Sequence, residues 1–304
     1  MRLKLLETAL VAIKDTKTYE KLVGPFYWFL VRRGRSITER YYDLVRDKAF
    51  GGYARREVPL LHEARMRYPD SDFDIENPLV TVYIPTYNRG RLLCERTIPS
   101  VLNQTHANIE LIVVADNCTD GTPDLVRKFG DRRIRLVELR EKEDLPKNKV
   151  NRWRAAGTAA VHAAMDAAKG LWLAHLDDDD VFERDHVEVL LDHGRKRALE
   201  FVFGKTRVEM EPGRWIERGG PCLPSGLPPY RHSKSFISHS SIMYRHYLRL
   251  FKYDVEAWRL RYGADAHKWQ RLGRAGVRGG FVDKVVTTLP LRPGETLRGI
   301  RQPD

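Results

Sequence analysis

Hydrophobic positions change their spacing at Pro78, and the change divides two kinds of structure. Upstream, Leu3, Leu6, Leu10 and Ile13 recur at helical spacing among Arg2, Lys4, Lys14 and Lys17, which predicts an amphipathic helix. The stretch YPDSDFDIENP then reads as an acidic, turn-prone link. Downstream, the apolar runs Leu79 to Ile84, Ile109 to Ala115, Ile134 to Leu139 and Leu171 to Leu176 predict buried strands. Leu92 to Asn103, Pro123 to Phe129 and the alanine-rich Gly157 to Ala168 predict helices between them. Beyond residue 200 the pattern loosens into short strands (Phe201 to Phe203, Arg207 to Met210), a proline-rich loop (Pro221 to Pro229) and helices near Tyr244 to Leu250 and Ala264 to Arg274.

Alternating strands and helices predict an α/β fold with a mostly parallel, doubly wound sheet, which binds ligands beyond the carboxyl ends of its strands. The expected division is a helical extension over 1–77, a ligand-binding α/β half over 78–200 and an irregular half over 201–304 that takes a second substrate. The strand ends carry Pro85-Thr86-Tyr87-Asn88, Asp116-Asn117 and Asp177 to Asp180.

Composition narrows the class. Lys plus Arg is 53 against 41 Asp plus Glu in 304 residues, a net +12, and 42% of positions are hydrophobic, so disordered, collagen-like and disulfide-scaffold readings are excluded. Cys94, Cys118 and Cys222 are far apart, which fits a reducing, cytoplasmic compartment. Glu7 interrupts any signal-peptide core. The run Leu22 to Val31 is shorter than the roughly 20 residues a membrane span needs. With Lys21, Arg32, Arg33 and Arg35 beside it, it suits either peripheral contact with the inner face of an anionic membrane or a core edge. The basic residues are dispersed and carry no nucleic-acid signature, so no nucleic-acid partner is expected.

Two phosphate motifs are absent. Gly204-Lys205-Thr206 lacks the upstream glycine of a P-loop, where Leu199 stands, and no G-x-G-x-x-G follows the first strand. The acidic cluster is more informative. In extended chain Asp177 and Asp179 share a face and Asp178 points elsewhere, so the first two suit Mg²⁺ or Mn²⁺, which takes further ligands from substrate phosphates. Asp180 either joins them or caps a helix expected near Val181. Asp116 is placed to accept hydrogen bonds from a base or ribose, and Tyr87 to stack on a heterocycle. His175, inside a strand, reads as structural.

In order, VTVYIPTYNR (80–89), ELIVVADNCTDGT (110–122), the Ala/Gly-rich helix before Gly170, LAHLDDDD (173–180) and GADAHKWQRLGRAG (263–276) resemble the family 2 glycosyltransferases. These are inverting enzymes of the glycosyltransferase A fold, and the resemblance covers about residues 78–280. It implies a nucleotide-diphosphate-sugar donor, with a UDP-sugar expected, held by Pro85, Thr86, Tyr87, Asn88, Asp116, Asp177 and Asp178. It further implies Asp177 and Asp179 as metal ligands and Asp265 as general base, while Arg152 and Arg154, upstream of the helix where the family usually carries Arg-Asn, are the arginines within reach of the diphosphate. His239 and Trp269 fall on the acceptor or phosphate side. Ala264 stands where members often carry glutamate, and His162 where many have asparagine.

The chemistry is coherent with that resemblance, because sugar transfer needs a cation at the departing diphosphate and a carboxylate opposite it to take the acceptor proton. The expectation is a metal-dependent inverting glycosyltransferase acting on a glycan or lipid-linked acceptor. The alternatives are a nucleotidyltransferase and a non-catalytic glycan- or polyanion-binding module.

Overall fold

The strand Val80–Thr86 (β1) sits inside the sheet, between Ile109–Asp116 (β2) and Trp172–His175 (β4), and runs parallel to both. The computed structural model describes residues 45, 48–141, 144–221 and 237–297. The described residues from Gly52 onward form one compact unit. The N-terminal amphipathic segment, the run Leu22 to Val31 and its expected membrane contact lie outside the described residues, as do Cys222 and most of the proline-rich loop.

Strand order across the sheet is β3-β2-β1-β4-β8-β6-β9-β5, with β7 paired to β6. Ile134–Leu139 (β3) extends the parallel half. Ile242–Arg245 (β8) runs antiparallel to both β4 and Phe201–Glu211 (β6). Gly279–Leu289 (β9) is parallel to β6 and antiparallel to Val181–Phe182 (β5), and Arg214–Arg218 (β7) makes a hairpin with β6. This is the α/β, mostly parallel sheet that the alternating pattern predicts, with helices on both faces.

Period-two alternation explains the two cores. On one face Tyr83, Ile112, Val114 and Leu173 meet Ala160, Val161, Ala164 and Met165 of the helix Thr158–Ala167 and Trp269 and Leu272 of the helix Ala264–Arg274. On the other, Val82, Ile84, Leu111 and Val113 meet Leu93, Ile98 and Val101, and Leu190 and Leu191 of the helix His186–Lys196. A further helix through residues 52–67 is tied to this unit by Glu57, which accepts from Arg271, and by Arg65, which donates to Glu200 at 2.7 and 2.6 Å.

Three local expectations fail. The segment expected to be helical from Tyr244 begins as β8 and then forms a 3₁₀ turn, His246–Leu250. A short apolar run buried on both faces has no periodicity that separates strand from helix. Val181 and Phe182 pair with Thr288 and Thr287 of β9, so the next helix starts at His186, with Asp185 rather than Asp180 at its N-cap position. Phe201–Glu211 is one continuous strand rather than two, and β9 was not anticipated, because its glycines and Asp283-Lys284 break the apolar run. Among the described residues no helix is long and apolar enough to cross a membrane.

Candidate functional site

The carboxyl ends of β1, β2 and β4 open onto a cleft of about 390 Å³. From β1 and the loop after it come Pro85, Thr86 and Tyr87, a residue 59% exposed. Asp116 reaches the cleft from the end of β2, and its Oδ1 accepts from Asn117 Nδ2 at 3.0 Å. Asn88 does not line this cleft. Its side chain spans to Thr119, donating to Oγ1 at 3.1 Å and accepting from the backbone N–H at 2.7 Å, which ties the two loops together.

After β4 the chain bends instead of running on extended. Asp180 N donates to Asp177 O at 3.1 Å, closing a turn, so side chains two apart no longer share a face. The expected pairing of Asp177 with Asp179, and Asp178 facing elsewhere, is therefore replaced. Asp178 and Asp179 both face Arg89 Nη1, at 2.7 and 3.0 Å, and Asp179 also pairs with Arg292. Asp177 turns toward His175 Nε2, 2.8 Å away. Asp180 is buried and accepts from Ser240 Oγ at 2.7 Å, and the same Ser240 oxygen accepts from Asp177 N at 3.0 Å.

His239 joins Asp177 from the 3₁₀ turn His239–Ser241. One donor atom each from His175, Asp177 and His239 lie within 4.8 Å of one another. Burial holds both imidazoles neutral: desolvation, helped by Lys268, takes His175 down to about 3, and desolvation, helped by the repulsion that two protonated rings would meet, takes His239 well below 6.5. His175 Nδ1 is buried without a hydrogen-bond partner. Desolvation raises the Asp177 carboxyl, the His239 charge lowers it and Asp179 adds repulsion. Two neutral imidazoles beside a carboxylate make a donor set that fits a divalent transition cation. His175, which reads as structural from the sequence, supplies one of these three donor atoms.

Asp265 faces the same cleft from the first turn of the helix Ala264–Arg274. Gly263 precedes it because a Cβ there would come within 2.6 Å of Asp265 Oδ1. Desolvation pushes the Asp265 carboxyl above its ordinary 3.8, the Ala266 N–H opposes this and the Asp177 charge adds to it. One turn on, Trp269 is buried with its ring centre 5.8 Å from that of His239, so it packs beneath the cleft rather than lining it. Arg154 lines the cleft from the helix Lys149–Ala155, whereas Arg152 Nε donates to Pro146 O at 3.2 Å and lies outside it. Arg89, Trp153, Tyr253 and Arg292 also line the cleft, and sequence reasoning missed all four. Signals existed for Arg89, which ends the motif VTVYIPTYNR, and for Arg292, which precedes a Pro-Gly turn dipeptide.

Residues 81–252 match the family model described as "Glycosyl transferase family 2". TuaG, assigned to teichuronic acid biosynthesis in Bacillus subtilis, is 35% identical over 143 residues, 46% of this chain and 52% of its own length. WfgD of Escherichia coli, a UDP-Glc:alpha-D-GlcNAc-diphosphoundecaprenol beta-1,3-glucosyltransferase, is 29% identical over 134 residues, 44% of this chain and 48% of its own. The matched stretch thus spans about half the length of these relatives. Among solved structures, S. aureus TarS 1–349 in complex with UDP-GlcNAc superposes with a TM-score of 0.51 at 18% identity, covering 72% of this chain and 60% of that one. The shared fold and a family match over more than half of the sequence lead to one conclusion: the chain belongs to glycosyl transferase family 2.

Proposed function

We propose that the protein is a metal-dependent inverting glycosyltransferase that moves a sugar from a UDP-sugar to a hydroxyl of a glycan or lipid-linked acceptor. The observation that carries this reading is the convergence of Asp116, Asp177, Asp178, Asp179 and Asp265, from three separate parts of the chain, on one cleft. The UDP-glucose donor and the lipid-diphosphate acceptor in the name of WfgD support the donor and acceptor classes.

In this reading Tyr87 stacks on the base and Asp116 accepts hydrogen bonds from base or ribose. Asp177, His239 and His175, joined by Asp179 once that carboxylate gives up an arginine, would hold Mn²⁺ in preference to Mg²⁺, since imidazole nitrogens suit a transition cation, and the bound cation would neutralise the charge that develops on the departing diphosphate. Arg154 is placed to pair with phosphate oxygens. Asp265 takes the proton from the acceptor hydroxyl as its oxygen bonds to the anomeric carbon, while the bond from that carbon to the diphosphate oxygen breaks and leaves its electron pair on the diphosphate. A single displacement of this kind inverts the anomeric centre. Its raised pKa makes Asp265 a stronger base than an ordinary carboxylate. Trp153, exposed at the cleft rim, offers a ring face to an acceptor sugar.

The test is thermal unfolding with UDP, GDP, dTDP and CMP, each with and without Mn²⁺. A ligand that binds only the native state raises the melting temperature according to RT ln(1 + [L]/Kd). A Mn²⁺-dependent rise with UDP alone is the expected result. No rise with any nucleotide would return the chain to the reading of a non-catalytic glycan-binding module.

A further inference from the structure

The loop after β9 delivers a guanidinium to the acidic turn. Arg292 Nε pairs with Asp179 Oδ2, and Arg89 Nη1 reaches the same oxygen at 3.0 Å. That oxygen cannot keep both donors and also ligate a divalent cation, because ligation brings the cation to about 2.1 Å, inside the space the N–H groups occupy.

The mount of Arg292 decides which partner yields. Residues Arg292 to Glu295 form a β-turn closed by Glu295 N donating to Arg292 O at 2.9 Å. Pro293 takes its second position and Gly294 its third, where a φ of +87° is open to glycine and strained for other residues. Leu291 N donates to Glu209 Oε2 at 2.9 Å and Arg292 N to Glu295 Oε2 at 3.1 Å. The backbone is thus held on both sides of the residue. The Arg292 side chain itself is 47% exposed, and its Nη1 also faces the carboxylate of Glu295 at 3.9 Å on the surface, so it can swing without unpacking a core. Arg89 lacks that freedom, since it bridges Asp178 and Asp179 together.

Building on the reading that this cleft takes a nucleoside diphosphate sugar with a divalent cation, we propose that Arg292 is a donor-binding residue that exchanges one anion for another. It neutralises Asp179 until the cation claims that carboxylate, and then pairs with the diphosphate, which lies against the same cation. Charge favours the exchange. The diphosphate brings several phosphate oxygens to a guanidinium whose planar fork matches them. Arg292 therefore opposes binding of the cation alone and supports binding of cation and nucleotide together.

This opposition of sign gives the test. The full-length protein and Arg292→Gln are titrated with Mn²⁺ alone, followed by electron paramagnetic resonance of free Mn²⁺, and then with UDP at saturating Mn²⁺ by calorimetry. Arg292→Gln is expected to bind Mn²⁺ alone about tenfold more tightly and UDP about tenfold more weakly, with an unchanged melting temperature. Arg292→Lys, which keeps the charge but loses the fork, is expected to fall between the two for UDP. Wild-type protein that binds Mn²⁺ and UDP with affinities that Arg292→Gln leaves unchanged would overturn the exchange alone. A loss of both affinities together in Arg292→Gln would assign Arg292 a purely supporting role and also overturn it. Wild-type protein that binds neither would overturn the exchange together with the proposed function.

Discussion

The imidazoles of His175 and His239 lie face to face, with ring centres 3.4 Å apart and planes 7° from parallel. His239 is also held by Tyr253, whose hydroxyl is 2.7 Å from Nε2. Stacked neutral rings at this spacing present fixed nitrogen donors beside Asp177, and fixed donors bind a cation without first losing rotamer freedom.

His239→Ala and Asp177→Ala are each expected to weaken Mn²⁺ binding by about tenfold or more, measured by calorimetry on the full chain. Asn88→Ala serves as a control, because the Asn88 side chain bonds Thr119 and does not line the cleft. Mn²⁺ affinity that survives both His239→Ala and Asp177→Ala would move the cation away from this triad.

Asp265 supplies a prediction in which activity and stability part company. Its folded pKa is raised, so its ionised form is disfavoured by folding: the contribution to stability is full below the ordinary value of 3.8 and is lost as pH rises through the folded value. Asp265→Asn removes that cost near neutral pH. The variant should melt at or above the wild-type temperature, keep UDP binding and lose transfer by roughly 10²-fold or more. Near-normal turnover would show that the base lies elsewhere.

Glu200 is the central acceptor of a buried network. It takes hydrogen bonds from Arg65, from Tyr247 Oη at 2.7 Å and from Arg278 N at 2.7 Å. Desolvation pushes its pKa up, but these bonds outweigh it and hold the carboxyl below its ordinary 4.5. Its stabilisation is therefore present above pH 4.5 and is lost as pH falls through the lower folded value. Glu200→Gln leaves the Arg65 guanidinium without its counter-charge and should cost about 3 kcal/mol in urea unfolding at pH 7. A cost within experimental error would show that the network is dispensable.

His186 makes the fold sensitive to mild acid. Its ring stacks on Phe182 at 3.5 Å, and its Nδ1–H donates to Val286 O at 2.8 Å. Desolvation lowers its pKa to about 3, although the Val286 carbonyl opposes the shift. The sign follows from the lowered value: stability is full above the ordinary 6.5 and declines as pH falls toward 3. The decline from this group alone approaches about 1.4 kcal/mol per pH unit. Urea unfolding between pH 7 and pH 5 should therefore show a shallower loss in His186→Gln than in wild type, even though the variant is less stable at pH 7. Parallel curves would exclude His186 as the sensitive group.

Several residues that line the cleft were legible because a buried strand announces both itself and its end. The runs before Thr86, Asp116 and Asp177 are apolar enough to define β1, β2 and β4, and a parallel sheet places ligands at the carboxyl ends of its strands. The motif order from VTVYIPTYNR to GADAHKWQRLGRAG carried the family in the same way. Trp269 and Arg152 show the limit of that reading: each stands close in sequence to a cleft residue, yet one packs beneath the cleft and the other turns out of it.

The amino-acid sequence by itself determined the alternation of strands and helices, the polar residues at the strand ends and membership of the family, because each depends on local spacing or on the order of short motifs. The tertiary structure alone decided how the acidic turn is shared out. Asp177 goes to two histidines, Asp178 and Asp179 to Arg89 and Arg292, and Asp180 to Ser240. Most of those partners lie more than sixty residues away along the chain, and their charge states are set by burial, which exists only once the sheet has assembled. A hydrogen bond or a desolvated imidazole is a property of neighbours in space, and local spacing carries no record of them.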